Sequence, residues 1–367
     1  MKVIVLGGTG DMGKQVVRDL VEFSKFSEII IGDIREELAK SFADSLGDKR
    51  LSVMKIDARD HKALVKVLKN ADVAASAIGP FYEFGPKIMK AALDAGINCV
   101  DICDDWEPVE TILSLNKEAK DAGVTLLTGM GWTPGISNLC AKDGADKLDK
   151  VEKINIAWAG SVADSSGLAV IKHVFYAVTG KVPSFIDGKR EMVKAGSGKV
   201  RMEFPQPIGK LRVYHIGHPE PCTIPLYIKS PEVTLRGALT PEWTNNVAAF
   251  LAGLGLTKSN KRKDSLARLT QRLEGGWFGK VGKDVSGLRV DVTGEKKGEK
   301  RRHTYLAADK MARLTGIPCA IGTQMLAGGE VKVKGAVPPE ACVNPKKFFE
   351  ELDKRKVKID YTEEEVK

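Results

Sequence analysis

Residues 3–20 read VIVLGGTGDMGKQVVRDL: an apolar run, four glycines within seven positions, then apolar residues at helical spacing. Gly8-Thr9-Gly10-Asp11-Met12-Gly13 satisfies G-x-G-x-x-G, and its flanks commit the start of the chain to a strand, a tight turn and a helix. Each glycine has its own duty in such a unit. The first permits the turn, the second lets the backbone approach a pyrophosphate, and the third lets the helix lie on the strand. An anion then rests on the N–H groups at the start of the helix, where the dipole favours negative charge. Asp33 closes the next apolar run, EIIIGD, 20 residues beyond Gly13, where a carboxylate accepts hydrogen bonds from a ribose diol. The expected dinucleotide contacts are Gly8, Thr9, Gly10, Asp11, Met12, Gly13, Asp33, Ile34 and Arg35. Asp57 and Ala58 follow the third strand, and Ile78, Gly79 and Pro80 follow the fourth. A carboxylate at Asp33 repels a 2′-phosphate and makes NAD the preferred cofactor, while Arg35 two residues on leaves NADP open. Asp57 is equally suited to cap the helix starting near His61.

The rhythm set by this unit continues. VIVLG, EIIIGD, LSVMKID, VAASAIG, NCVDIC and VTLLTG alternate with helical patterns, which implies βαβ units and a parallel sheet covered on both faces. Beyond Gly131 the runs KINIAWAG, VRMEF, LRVYHIG, EVTLRGAL and LRVDVTG are separated by less regular segments, the mark of a mixed or antiparallel sheet. The expected fold class is α/β: a Rossmann domain over residues 1–130 and an α+β second domain with a large, mostly antiparallel sheet over 131–305. A C-terminal part, 306–367, contains a small-residue-rich helical stretch and NPKKFFEELDKRKVKI, which opens at an N-cap-like Asn344 with Pro345 in the first turn. The closing DYTEEEVK reads as a frayed tail.

Composition narrows the function classes. The formal charge of +9 arises from 57 basic and 48 acidic residues spread along the chain, a solvated surface rather than a nucleic-acid groove. KSNKRKDS (258–265) and GEKKGEKRRH (294–303) are the two basic stretches, both expected as solvated loops, the second as a hairpin connection. The six cysteines are scattered without a C-x-x-C pair, so neither a disulfide framework nor a zinc site is expected, and a reducing cytoplasm fits. No apolar run reaches the ~18 residues of a membrane span. The partner expected is a small molecule, with no nucleic acid, no membrane and no metal.

Ligands of open parallel sheets bind beyond the carboxyl ends of the strands. After the fourth strand, SAIGPFYEFGPK reads as a loop whose Phe81, Tyr82 and Glu83 face the substrate side. After the fifth, VDICDDWEP gathers Asp101, Asp104, Asp105 and Glu107, which attract a cation or raise one another's pKa. Asp104-x-x-Glu107 also fits a helix capping arrangement. GMGWTPGISN places Trp132 at the expected domain junction. In the second domain His173 and His215 are candidates for proton transfer. His215-x-x-His218 lies in a strand-to-turn stretch, which disfavours a metal pair.

With AIGPFYEFGPKIMKAALDAGINCVDI, GMGWTPGISN, KHVFYAVTG, YHIGHPEPCTIP and TGIPCAIGTQMLAGGEVKVKGAVPPEACVNPKKFFEELDKRKVKI, the chain resembles the saccharopine dehydrogenase-like family, within it most closely the lysine 6-dehydrogenase branch. The resemblance implies C-terminal helices that return to the Rossmann domain and a second domain that also builds a homodimer. It implies an NAD(P)-dependent oxidoreductase on the C–N bond of an amino acid or amine. Phe81, Tyr82 and His173 match positions of that branch, Glu83, Asp104 and Asp105 are then the groups that hold the amine, and the resemblance to members that bind saccharopine makes Arg212 and Arg236 the cations for substrate carboxylates. The alternative is a non-catalytic dinucleotide sensor or scaffold.

Overall fold

The computed structural model describes residues 1–164, 168–247, 262, 265–269 and 284–366. The chain forms two compact units: residues 1–136 with 312–344, and residues 137–311 with 345–367.

In the first unit β1 (Lys2–Leu6), α1 (Asp11–Phe23), β2 (Glu28–Asp33), α2 (Glu36–Leu46), β3 (Leu51–Lys55) and α3 (His61–Leu68) run in strict alternation. They are followed by β4 (Val73–Ser76), α4 (Phe81–Ala95), β5 (Asn98–Asp101), α5 (Trp106–Ser114), α6 (Asn116–Asp121) and β6 (Thr125–Leu127). Val3, Ile4, Val5 and Leu6 have no exposed surface, as a central parallel strand covered on both faces requires. Each contributes roughly 1.5–3 kcal/mol through burial. The strand order is β3-β2-β1-β4-β5-β6, all parallel, the doubly wound arrangement expected. A seventh strand, Gly335–Val337, adds in parallel beside β6. The helix Met311–Ala327 comes close to α1: a Cβ on Gly316 would stand 2.7 Å from Gln15 Cβ and 2.9 Å from the Met12 carbonyl oxygen.

Between these segments the chain builds the second unit. Its elements are α7 (Ile136–Asp146), β7 (Lys150–Ser161), α8 (Leu168–Ala177), β8 (Lys181–Ile186), β9 (Lys189–Lys194), β10 (Val200–Glu203), β11 (Lys210–His215), α9 (Glu220–Thr223), β12 (Val233–Thr240), β13 (Ser286–Lys296) and β14 (Glu299–Asp309). With β15 the Gly335–Val337 strand of the first unit, the last is β16 (Asp360–Glu365). The order β10-β11-β12-β7-β13-β14-β16, with β8 beside β12 and β9 beside β8, is mixed: β12 and β7 are parallel and the other pairs antiparallel. Ala157, Ala159, Phe204, Leu211, Val213 and Ala238 form a core on this sheet.

Four local expectations change. The tail is not frayed: residues 360–365 pair antiparallel with β14, and Arg302 donates to Glu364 at 2.7 Å. SAIGPFYEFGPK is only in part a loop, because α4 begins at Phe81. The N-cap of α5 is Asp105 rather than Asp104, and the Asp105 side chain makes no capping bond to α5. GEKKGEKRRH does turn a hairpin, at Lys297 and Gly298 with positive φ, but it is not the solvated loop expected, because residues 294–296 and 299–303 lie in β13 and β14, which pair with each other. KSNKRKDS lies largely outside the described residues. Pro345 opens the helix Pro345–Lys354 as read.

Candidate functional site

Two clusters carry chemistry, one in each unit. In the first, the G-x-G-x-x-G loop joins β1 to α1. A Cβ on Gly13 would collide with the Gly7 carbonyl, and one on Gly8 would stand 2.8 Å from Ile31 Cγ2, so these glycines serve the fold's own close packing. Gly10 differs. Its φ is −73°, and a Cβ there would meet only the Gly7 carbonyl oxygen, at 3.4 Å. Neither backbone strain nor internal packing requires glycine at this position, and α1 starts from it without a side-chain cap. The bare amides and the open space above them fit a pyrophosphate. Asp11 is exposed and Met12 half-buried at this rim.

Asp33, 5% exposed at the end of β2, is tightly engaged. Its Oδ2 accepts from the Thr9 amide at 3.1 Å and the Thr9 hydroxyl at 2.6 Å. Its Oδ1 accepts from the Arg35 amide at 3.0 Å and Arg35 Nε at 3.3 Å. Arg35 Nη2 in turn donates to the Thr9 hydroxyl at 2.7 Å. Burial pushes the carboxyl pKa up, but these bonds outweigh it and hold Asp33 below the ordinary carboxylate range. A negative charge and a half-exposed guanidinium thus sit side by side at the edge where an adenosine ribose binds in such folds. Ile34 is exposed beside them. Asp57, after β3, pairs with Arg59 at 2.7 Å, which holds it down to about 2, and it leaves the capping of α3 to Asp60, whose side chain accepts from the Ala63 amide. Ala58 and Pro80 are buried, Ile78 and Gly79 half-buried.

The carboxylates after β5 divide. Asp101 is fully buried and its Oδ1 accepts from Gly129 N at 2.8 Å, the Thr128 hydroxyl at 2.9 Å and Cys103 N at 3.1 Å. Burial nevertheless pushes its carboxyl up to about 6. Asp105 accepts from the Tyr82 amide at 2.9 Å, Asp104 is half-buried, and Glu107 is exposed. Phe81, Tyr82 and Glu83 form the first turn of α4, buried, half-buried and exposed in that order, and Trp132 is buried.

In the second unit the structure brings together residues far apart in sequence. His173, on α8, and His218, before α9, face each other with their Nε2 atoms 3.2 Å apart and their rings edge to face. His218 Nδ1 lies 3.8 Å from Glu220 Oε2, and Glu220 Oε1 accepts from the Ser137 hydroxyl at 2.8 Å. All four side chains are buried, as is Lys172 beside them. The Trp158 ring lies 5.8 Å from that of His218. Gly237 makes room for this indole, since a Cβ there would stand 2.5 Å from Trp158 Cε2. Sequence reasoning found His173 but not the role of His218, Glu220 or Ser137. The one available signal, His218-x-Glu220 before a short helix, carries no periodicity that singles it out.

His215 is engaged elsewhere. Its Nε2 faces Arg236 Nη2 at 3.3 Å, and burial first, then the arginine, lowers its pKa to about 4. Arg236 also donates to the Gly198 carbonyl and the Thr234 hydroxyl, and Arg212 pairs with Glu242 at 2.9 Å. Among the described residues no helix is long and apolar enough to cross a membrane.

A doubly wound parallel sheet with a bare glycine turn and an acid closing β2, followed by a mixed sheet with buried histidines, defines a two-unit protein of the dinucleotide-binding class. Residues 3–127 match the saccharopine dehydrogenase NADP binding domain and residues 131–357 the saccharopine dehydrogenase C-terminal domain. The chain belongs to the saccharopine dehydrogenase family. It is 26% identical over 145 residues to a human saccharopine dehydrogenase-like oxidoreductase, covering 35% of this chain and 34% of that one. A Caenorhabditis elegans lipid droplet localized protein is 28% identical over 139 residues, covering 35% and 33%. A carboxyaminopropylagmatine dehydrogenase from Synechocystis is 23% identical over 148 residues, covering 38% and 36%. The chain thus spans about a third of the length of these relatives. Apo saccharopine dehydrogenase (L-Glu forming) from Saccharomyces cerevisiae matches with a TM-score of 0.73 at 18% identity, covering 100% of both chains, a likeness of fold.

Proposed function

We propose that the protein is a nicotinamide-dinucleotide-dependent oxidoreductase acting on the C–N bond of an amino acid or amine. The observation that carries this reading is the turn at Gly10, whose openness the protein's own packing does not require. The second support is the family, whose relatives are named as oxidoreductases and as a dehydrogenase of an amine-bearing compound. When bound, the dinucleotide supplies hydride transfer at the carbon bearing nitrogen, which leaves an imine for water to hydrolyse. The chain's residues do the rest. The amides from Gly8 to Gly13 hold the pyrophosphate, and Asp33 favours the ribose diol of NAD while Arg35 sets how far a 2′-phosphate is tolerated. His173 takes the proton released by the substrate ammonium or the attacking water. Glu83, Asp104 and Asp105 supply negative charge for the amine, and Phe81, Tyr82 and Trp132 apolar surface for its carbon chain. Arg212 and Arg236 meet a substrate carboxylate if they exchange their present partners for it.

Purified protein incubated with NAD or NADP and a panel of lysine, diaminopimelate, saccharopine and polyamines, followed by nicotinamide absorbance, tests the proposal. Reduction with at least one panel member is expected. Dinucleotide binding without turnover across the panel would leave the non-catalytic sensor.

A further inference from the structure

We propose that Asp101 is a positioning residue for the substrate side of the first unit, the common anchor of the loops that follow β5 and β6. The inference rests on the reading that places Asp104, Asp105 and Trp132 around an amine substrate. The β5–β6 ladder ends with the pairs Cys99–Leu126 and Val100–Leu127, and ligands of such sheets bind beyond that end. Past the last rung the loop amides need new acceptors. Asp101 supplies them. Its Oδ1 accepts from Gly129 N at 2.8 Å, the Thr128 hydroxyl at 2.9 Å and Cys103 N at 3.1 Å, and its main-chain carbonyl accepts from Met130 N at 2.7 Å. One residue thus holds two loops at their roots. Its side chain turns its own chain at Cys103, as an Asx turn does, and clasps the first residues of GMGWTPG.

Each loop carries groups assigned to substrate. Beyond Cys103 stand Asp104 and Asp105, and Asp105 passes the restraint on to α4 by accepting from the Tyr82 amide at 2.9 Å. Beyond Met130 stands Trp132, in a loop that closes on itself: Gly131 N donates to the Pro134 carbonyl at 2.9 Å and Ile136 N to the Gly131 carbonyl at 3.0 Å. Its direction is therefore set at the root. Gly129, the residue held there, has a φ of +77°, and a Cβ on it would stand 2.7 Å from Pro134 Cγ, so the chain leaves the anchor by a path that glycine alone adopts readily. All three side-chain bonds fall on Oδ1, and among the described residues Oδ2 has no hydrogen-bond partner. A proton that burial favours on this carboxyl goes to Oδ2 and leaves the three bonds intact. The acceptor oxygen, not the charge, holds the loops, which separates Asp101 from the neighbouring acids that meet the amine.

The test compares, in the full chain, Asp101→Ala, which removes the acceptor, with Asp101→Asn, which keeps it. Amide hydrogen exchange is followed residue by residue. Gly129 and Cys103 are expected to exchange at least about tenfold faster in Asp101→Ala and within about threefold of wild type in Asp101→Asn, while the amides of β1 exchange alike in all three proteins. Wild-type protection of Gly129 and Cys103 in Asp101→Ala overturns the proposal, and so does a loss in Asp101→Asn equal to that in Asp101→Ala. If β1 accelerates equally in Asp101→Ala, the whole unit has opened and Thr128→Val decides: exchange about threefold faster at Gly129 with β1 unchanged supports the anchor, and unchanged exchange at Gly129 overturns it. With whichever panel substrate is active, Asp101→Ala raises KM at least about tenfold while the Kd for dinucleotide, read by calorimetry, stays within about threefold, and Asp101→Asn restores KM. Equal weakening of substrate and dinucleotide overturns the positioning role, because a residue that only supports the fold moves both. If wild type turns over no panel member, the oxidoreductase reading is what has failed, and the exchange rates alone decide whether Asp101 anchors the loops.

Discussion

The fully buried carboxylate of Asp105 accepts a hydrogen bond from the Tyr82 amide at 2.9 Å, so a residue placed by sequence at the start of α5 serves the start of α4. The need arises from Pro80, the N-cap of α4, which has no side-chain acceptor for the first-turn amides. Asp105 supplies the acceptor from another strand end, and its charge lies where the dipole of α4 favours it.

Asp105→Ala removes that cap from the half-buried first turn of α4. A loss of about 1–2 kcal/mol is expected, the scale of a missing N-cap. Chemical denaturation of wild type and variant measures it. An unchanged midpoint would show that the bond contributes nothing.

Asp101 gives a pH signature of definite sign. Its folded-state pKa is raised to about 6 by burial, against an ordinary carboxylate value of about 3.9. Between these values the folded state binds more protons than the unfolded chain, so stability falls as pH rises. The contribution is fully present below about pH 4 and lost by the time pH has passed about 6, and a two-unit shift corresponds to roughly 3 kcal/mol. Asp101→Asn, neutral at every pH, should therefore gain on wild type as pH goes from 4.5 to 7. Urea midpoints at the two pH values give the comparison, and a difference between the proteins that does not change with pH counts against the shifted Asp101.

Much of this architecture was legible because its signals are local. VIVLGGTGDMG holds strand, turn and helix start within eleven residues, and Asp33 follows at the spacing a βαβ unit fixes. The mixed second sheet was legible from the irregular segments that separate its apolar runs. What escaped depends on distant partners. Gly335–Val337 is a strand only because β6 lies beside it, and three residues carry no period. DYTEEE has like charges and no alternating apolar face, so it reads as tail; Arg302 and the neighbouring basic residues of β14 supply the opposite charge. His173 and His218 are 45 residues apart, and nothing within either stretch announces the other.

Arg35 offers a test of cofactor choice. With Asp33 ionised and Arg35 bonded to it, the site presents both signs of charge to the ribose edge. Arg35→Ala removes the cation and is expected to weaken NADP about tenfold, the order of one lost charge-assisted hydrogen bond, while NAD changes by no more than about threefold. Calorimetric titration of both dinucleotides reads the ratio. Equal losses for both would assign Arg35 to holding Asp33 and Thr9 in place rather than to the 2′-phosphate.

The glycine turn can separate folding from binding with two single substitutions. Gly13 lies where a Cβ would strike the Gly7 carbonyl, a contact between backbone atoms that no rotamer relieves. Gly13→Ala should therefore destabilise by about 1–3 kcal/mol, an overpacking cost, and lower the melting temperature without any ligand present. Gly10 has an ordinary φ and, at 3.4 Å, a single tolerable neighbour. Gly10→Ala should melt within a degree or two of wild type, and relief of backbone freedom in the unfolded chain even favours it slightly. The added methyl occupies the space above the first amides of α1, so dinucleotide affinity should fall at least about tenfold, because a pyrophosphate must approach that backbone closely. Melting curves with and without NAD display both effects: a stabilising shift by ligand in wild type, and a native melting point with no such shift in Gly10→Ala. A Gly10→Ala protein that binds NAD as wild type does would mean that the turn is open for some other reason, and the oxidoreductase reading would lose its main support.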